Sequence, residues 1–296
     1  MLKSCRLCPR RCGVDRTQGQ VGFCGEGELP RVAKACLHHW EEPCISGTAG
    51  SGTVFFSGCN MRCVFCQNHP ISQGGAGIEV SVDRLGDIAA RLLSMNPHNL
   101  NLVSPSHFLP QVAEMLSRIR RRHQVTVIWN SNGYECVDAI RRLDGLVDVY
   151  LPDFKYFDDG PAVRLSSAPG YFEAATAAIA EMLRQAGEPR FDADGIVRRG
   201  LIVRHLVIPG HTRDSLMVLR WIADNLPRGV YVSLMAQYAP MNRAREFPGV
   251  DRALTQEEYD EVVDEFFRLG LENGYCQETS SATQEYTPAF DLEGIT

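Results

Sequence analysis

The stretch "FFSGCNMRCVFCQN", residues 55–68, sets Cys59, Cys63 and Cys66 in a C-x3-C-x2-C spacing directly behind a short apolar run. Three thiols so close together share one object. A closed structural zinc site takes four ligands, so three cysteines would need His69 or a remote cysteine to complete a zinc knuckle. A [4Fe–4S] cube takes one thiolate per iron, so three cysteines leave one iron open to a chelating small molecule. Both readings stand on spacing alone.

The surrounding sequence places this loop in a fold. From residue 53 onward, apolar runs alternate with helix-periodic segments. The runs are 53–57, 99–103, 125–129, 146–151, 201–208 and 230–236, mostly continuous, as strands covered on both faces require. Between them, Leu85, Ile88, Ala89, Leu92 and Leu93 trace one helical stripe, and Leu109, Val112, Leu116 and Ile119 a second. Residues 171–186 form a third helix ending on Gly187. A last helix opens on a capping box, Thr255 with Glu258. Six β-α alternations predict parallel strands joined by right-handed crossovers. Six strands fall short of a closed eight-stranded barrel, so the expected architecture is α/β, a partial (β/α)6 barrel over residues 51–296. Functional loops then sit at the C-terminal strand ends, where the three-cysteine loop falls.

Residues 1–50 read as a small Cys-rich extension. Cys5, Cys8, Cys12 and Cys24 form C-x2-C-x3-C-x11-C. Four thiolates suit a closed site, zinc or an auxiliary cluster. The C-x2-C-x3-C-G opening and the later G-x2-G-x-C resemble the [4Fe–4S] segment of molybdopterin oxidoreductases, which favours a cluster. Either metal would stabilise a segment poor in core residues, and a cluster could relay electrons or hold substrate. Cys36, Cys44, Cys136 and Cys276 are scattered and read as small buried hydrophobes. "LHHWEEPCISG" (37–47) packs two His and two Glu side by side, a source of caps and salt bridges or of substrate contacts.

The three-cysteine loop, with Phe65 just before its last cysteine, resembles the hallmark of the radical S-adenosylmethionine (SAM) superfamily, closest to the glycyl-radical-enzyme activases such as pyruvate formate-lyase activating enzyme. That resemblance implies that SAM chelates the open iron. Reductive cleavage would then give a 5′-deoxyadenosyl radical that abstracts hydrogen, with flavodoxin or ferredoxin as reductant. It runs over about residues 50–245 through short motifs. "WNSNGYE" (129–135) is similar to Asp-Thr-Asn-Gly, "LPDFKYF" (151–157) to Leu-Asp-Leu-Lys, and "VRHLVIPG" (203–210) to Arg-Tyr-Val-Val-Val-Pro-Gly. By this match Arg204 approaches the SAM carboxylate. Asp153 and Lys155 lie beside SAM, and Asn130 and Ser131 flank a monovalent-cation site. The Gly-Gly-Glu that holds the SAM amino group is absent. "NLVSPSHFLP" (101–110) stands there instead, so Ser104, Ser106 and His107 are the substitutes. Asn130 replaces an Asp, which weakens the cation site, and Gln237 stands where the activases carry His. The departures point to an activase-like branch that shares "EEPxISG" and "NLVxPxH".

The expected function is that of a radical SAM enzyme whose target is a glycine on a partner enzyme, or a small molecule or peptide. A zinc or iron–sulfur binding protein without activity is the alternative from another class. No residue is singled out as a general base or radical relay. The net charge of −6 gives no nucleic-acid footprint, and "RIRRR" (118–122) reads as the solvated end of a helix. No apolar run reaches membrane-span length and no signal peptide is apparent, so a cytoplasmic, thiol-reducing setting is expected, where eleven cysteines point to metal.

Overall fold

The computed structural model describes residues 1–278 and 288–295. Of the C-terminal tail expected within 51–296, residues 279–287 and 296 lie outside the described residues. One sheet organises the chain. Its parallel strands are β2 (Ser51–Phe56), β4 (Leu100–Val103), β5 (Val127–Ser131), β6 (Val149–Pro152), β8 (Val197–Leu206), β9 (Tyr231–Met235) and β10 (Gly274–Cys276). β1 (Arg31–His38) pairs antiparallel with β2, and β3 (Ile78–Glu79) with β1. A short β7 (Arg190–Phe191) folds antiparallel onto β8. The order β10-β9-β8-β6-β5-β4-β2-β1-β3 has two free ends, so the barrel is partial and not closed.

All six expected strands are present, and β10 adds a seventh parallel one. The sheet also takes in β1, upstream of the expected boundary at residue 50, while residues 1–30 hold no regular structure beyond two 3-10 turns.

The helices cover the outer face. Val82–Leu93 starts on Ser81, whose hydroxyl accepts from Arg84 N at 3.1 Å, and buries Leu85, Ile88, Ala89 and Leu92. Gln256–Arg268 carries the expected capping box. Alternation along the strands sorts side chains between two cores. Val127 and Trp129 of β5 join Tyr150 and Val203 beneath the helices, whereas Ile128, Val149, Leu151 and Ile202 point the other way. The inward set would line an empty barrel floor, but Cys44 and Ile45 fill it. They belong to the turn Pro43–Ser46, which the chain makes on its way from β1 to β2. Ile45 is fully buried, a contribution of about 1.5–3 kcal/mol. The segment 41–47 is therefore a plug inserted into the lower barrel. Among the described residues no helix is long and apolar enough to cross a membrane.

Candidate active site at the open ends of the parallel strands

Above the plug the C-terminal strand ends enclose a cavity of about 220 Å3. Each parallel strand from β2 to β9 contributes to its wall, because the chain leaves every one of them at that end. Cys59, Cys63 and Cys66 come from the loop after β2, Ser104 from β4, and Asn130, Ser131 and Asn132 from β5. Asp153 and Lys155 follow β6, Arg204 lies on β8, and Gln237 and Tyr238 follow β9.

The loop owes its path to Gly58, whose φ of +77° lies in the left-handed region. A Cβ there would come within 2.9 Å of Cys24 O and 2.4 Å of Glu26 Cγ. Each sulfur has a polar neighbour. Asn132 Nδ2 donates to Cys59 Sγ at 3.3 Å, Ser166 Oγ to Cys63 Sγ at 3.0 Å, and Ser72 Oγ lies 3.2 Å from Cys66 Sγ. Burial pushes the Cys59 thiol up to about 11 and that of Cys66 to about 12. Burial also raises Cys63, against the pull of the Lys155 ammonium. Such thiols ionise only when a positive centre compensates them. Among the described residues no three His, Cys, Asp or Glu side chains are placed to hold a single metal ion. The three sulfurs line a shared space instead. Phe65 packs on Tyr238 with ring centroids 5.5 Å apart and closes the wall beside them.

The floor is a network of paired charges. Arg204 donates through Nε to Asp153 Oδ1 at 2.9 Å, through Nη1 to Glu41 Oε1 at 2.7 Å and through Nη2 to Asn130 Oδ1 at 2.7 Å. Lys155 Nζ donates to Asp153 Oδ2 at 2.6 Å. Both Asp153 oxygens are thus held by cations, and its carboxyl lies below the usual range: the Arg204 and Lys155 charges outweigh a desolvation that acts the other way. Glu41 also accepts from Asn101 Nδ2 at 2.9 Å and Asn130 Nδ2 at 3.0 Å through Oε2. Glu41 comes from the plug, so the floor of the cavity is built by a segment upstream of the barrel. Its neighbour Glu42 is buried and makes no ion pair among the described residues, and desolvation lifts its carboxyl to about 7.

The residues expected from sequence separate into two groups. Cys59, Cys63, Cys66, Phe65, Ser104, Asn130, Ser131, Asp153, Lys155, Arg204 and Gln237 converge on the cavity. Ser106 and His107 do not. After β4 the chain turns at Ser104, with φ +58°, and Pro105, which carries the next residues beneath the loop. His107 Nε2 meets Ser57 O at 2.6 Å, and burial lowers its pKa to about 3, so the ring is neutral and donates. Ser131 Oγ donates at 2.6 Å to Glu135, a buried carboxylate that also accepts from Trp129 Nε1 at 3.0 Å, and Ser106 is buried on that same side. Ser131 therefore presents its edge to the cavity while its hydroxyl is engaged behind. Glu41, Asn132 and Tyr238 line the cavity without having been singled out as site residues. Glu41 and Asn132 lay within quoted motifs, which was the available signal.

Comparison with known proteins agrees with this geometry. The profile of the radical SAM superfamily matches residues 53–222. The chain is 32% identical over 289 residues to "Uncharacterized protein MJ0674" of Methanocaldococcus jannaschii, covering 89% of this chain and 74% of that relative. Among solved structures, a spore photoproduct lyase superimposes with a TM-score of 0.51 at 14% identity, over 75% of this chain and 74% of that one. The FeFe-hydrogenase maturase HydG from Carboxydothermus hydrogenoformans gives a TM-score of 0.50 at 12% identity, over 74% of this chain and 50% of the maturase. A domain of pyruvate-formate lyase-activating enzyme from Bacteroides vulgatus is similar at a TM-score of 0.41 and 13% identity, over 58% of this chain and 92% of that one. These structural likenesses concern the fold, whereas the superfamily profile spans more than half of the chain and begins at the strand that carries the cysteine loop. The chain belongs to the radical SAM superfamily of enzymes.

Proposed function

We infer that Cys59, Cys63 and Cys66 hold a [4Fe–4S] cluster, that SAM binds in the adjoining cavity, and that the enzyme abstracts a hydrogen atom from a substrate. The observation that carries this reading is the opening of three half-buried cysteines, each with a polar hydrogen-bond partner at its sulfur, onto a cavity floored by paired charges. The donor set fits the group: three soft thiolates with N–H or O–H donors to sulfur suit an iron–sulfur core. When bound, the reduced cluster supplies one electron to SAM, yielding methionine and a 5′-deoxyadenosyl radical.

The residues of the chain bind and orient. Lys155 and Arg204 give the positive charge that a methionine carboxylate needs, and Ser104 and Gln237 offer polar contacts for its amino group. Asn130 is committed on both sides, to Arg204 and to Glu41, and acts by holding the floor. A monovalent cation at Asp153 would have to displace Lys155 from Oδ2. Phe55, Phe65, Met235 and Tyr238 form the apolar wall that keeps water from a radical.

The similarity of the cysteine loop to that of the activating enzymes supports a glycine of a partner enzyme as the target. A flavodoxin or ferredoxin in a cytoplasmic, thiol-reducing setting would serve as reductant, and all eleven cysteines are free. At Cys5, Cys8, Cys12 and Cys24 a second metal centre, cluster or zinc, belongs to the same reading.

Anaerobic reconstitution with iron and sulfide, followed by SAM and dithionite, tests it. We expect 5′-deoxyadenosine from the wild type and none from C59A/C63A/C66A. Metal-loaded protein that forms no deoxyadenosine would refute enzymatic SAM cleavage. Mixing with candidate partners then reads the target: a stable glycyl EPR signal identifies an activase. A substrate-dependent rise in deoxyadenosine with a small molecule or peptide, and no glycyl signal, replaces that target.

A further inference from the structure

Behind the cavity wall, the end of the helix Asp159–Ser166 is fastened to the cysteine loop at Cys63. Arg62 N donates to Ser166 O at 2.9 Å and Val64 N to Leu165 O at 2.8 Å, so both sequence neighbours of Cys63 are bonded to this helix end. The chain leaves the helix at Ser167, whose φ of +49° turns it away. These bonds hold the Ser166 side chain against the loop, with Oγ 3.0 Å from Cys63 Sγ. Ser166 is fully buried, so its hydroxyl is out of reach of bulk solvent.

A second hydroxyl stands behind the first. Tyr156 Oη lies 2.6 Å from Ser166 Oγ. Tyr156 follows Lys155 in sequence, yet it sits in the core, fully buried, with its ring edge-on to Tyr171 at 5.5 Å. Tyr171 Oη accepts from Lys155 N at 2.9 Å and so holds the backbone just before Tyr156. Counting protons fixes the direction of this chain of hydroxyls. A thiolate that ligates a metal carries no hydrogen, so the proton between Ser166 and Cys63 is the serine's own, and serine has only one. The contact between Oγ and Oη then takes the Tyr156 proton. Burial pushes that phenol well above its ordinary value and keeps the proton in place. Tyr156 therefore donates to Ser166 and Ser166 to Cys63, and each bond polarises the next.

We propose that Tyr156 is a positioning residue for the three-cysteine site: through Ser166 it directs a hydrogen bond at Cys63 Sγ and raises the reduction potential of the cluster held there. This rests on the reading of Cys59, Cys63 and Cys66 as cluster ligands. A hydrogen bond to a ligating sulfur draws charge from it, which favours the reduced, more negative state. Neither Tyr156 nor Ser166 lines the cavity, so both act through the sulfur and not through contact with SAM or substrate.

The test uses the full-length protein, reconstituted anaerobically with iron and sulfide and titrated with dithionite in the absence of SAM. The EPR signal to follow is the one that C59A/C63A/C66A lacks. At a fixed potential near the wild-type midpoint, the ratio of reduced to oxidised cluster should fall about tenfold in Ser166→Ala, a shift of about 59 mV for one electron. Tyr156→Phe keeps the ring and every sulfur contact, and the ratio should fall about twofold, the polarisation that one bond lends the next. The double variant should match Ser166→Ala, because Tyr156 acts only through Ser166. Tyr134→Phe removes a hydroxyl from the same aromatic stack, one that donates to Pro169 O at 2.7 Å, and should leave the potential unchanged. A Tyr156→Phe potential equal to wild type, or additive shifts in the double variant, overturns the proposal. An equal fall in Tyr134→Phe assigns the effect to packing and overturns it as well. Should Ser166→Ala fail to hold iron, Tyr156→Phe decides alone. If the wild type gains no signal that depends on Cys59, Cys63 and Cys66, the reading of that site has failed. If the signal forms and Tyr156→Phe leaves its potential in place, only this proposal has.

Discussion

Replacing Glu41 by Gln tests whether the plug builds the active-site floor. Glu41 Oε1 faces Arg204 Nη1, and Oε2 faces the Nδ2 groups of Asn101 and Asn130. A glutamine has one acceptor oxygen and one NH2 group. Either orientation sets that NH2 against a donor, the guanidinium or the two asparagines. The partners are 12% and 14% exposed, so solvent screens them little. Breaking a buried ion pair costs about 3–5 kcal/mol, and the retained acceptor places this variant near the lower end, about 3 kcal/mol. If half of that is released by SAM on reordering Arg204, affinity for SAM falls about tenfold, since 1.4 kcal/mol is one decade. Urea unfolding and equilibrium SAM binding to the reconstituted protein measure the two effects. Ile45→Val is the control. It loosens the plug by about 0.5–1.5 kcal/mol without touching the ion pair and should leave SAM affinity unchanged. A Glu41→Gln protein with wild-type stability and wild-type SAM affinity would refute the reasoning.

Gly58→Ala should destabilise the cysteine loop by about 1–3 kcal/mol from the left-handed backbone alone. The close approach to Cys24 O adds to this, and faster proteolysis between residues 1–30 and the barrel would report the loosened contact. Glu258 is held at about 2, chiefly by hydrogen bonding to Arg252. Its folded value lies below its unfolded one, so its stabilisation is present above pH 4.5 and lost as pH falls toward 2. The gap in urea stability between wild type and Glu258→Gln should therefore be wide at pH 6 and narrow near pH 2; a gap independent of pH would count against it. Glu42 works in the opposite sense. Its carboxyl is lifted to about 7 by burial, so the folded state loses stability as pH rises from 4.5 through 7. Glu42→Gln should flatten that loss between pH 5 and 8 in thermal melts, and an unchanged slope would contradict the burial.

The parallel strands were legible because each is a continuous apolar run, and the helices between them because their stripes repeat at helical spacing. β1 was not, since its buried positions include Lys34, whose ammonium reaches Asp291 at 2.9 Å far along the chain. β10 has three residues, too few to show a period. At the site, motif order located the strand-end residues. It misplaced Ser106 and His107 because spacing gives distance along the chain, while the turn at Ser104 and Pro105 sets where the following side chains go. Glu41 was legible only as one of several charges in a dense stretch. Its partners are Asn101, Asn130 and Arg204, and nothing local announces contacts so distant in sequence.

The plug also bears on how this enzyme can be dissected. A fragment trimmed to the superfamily match at residues 53–222 would keep the parallel run from β2 to β8 and all three sulfurs of the loop, yet it would be a well without a bottom. Solvent would rise through the space left by Ile45 and Cys44 to the guanidinium of Arg204 and surround it with water. The smallest autonomous piece of this protein is therefore larger than residues 53–222, and its beginning lies before the barrel, in the strand that leads into the plug.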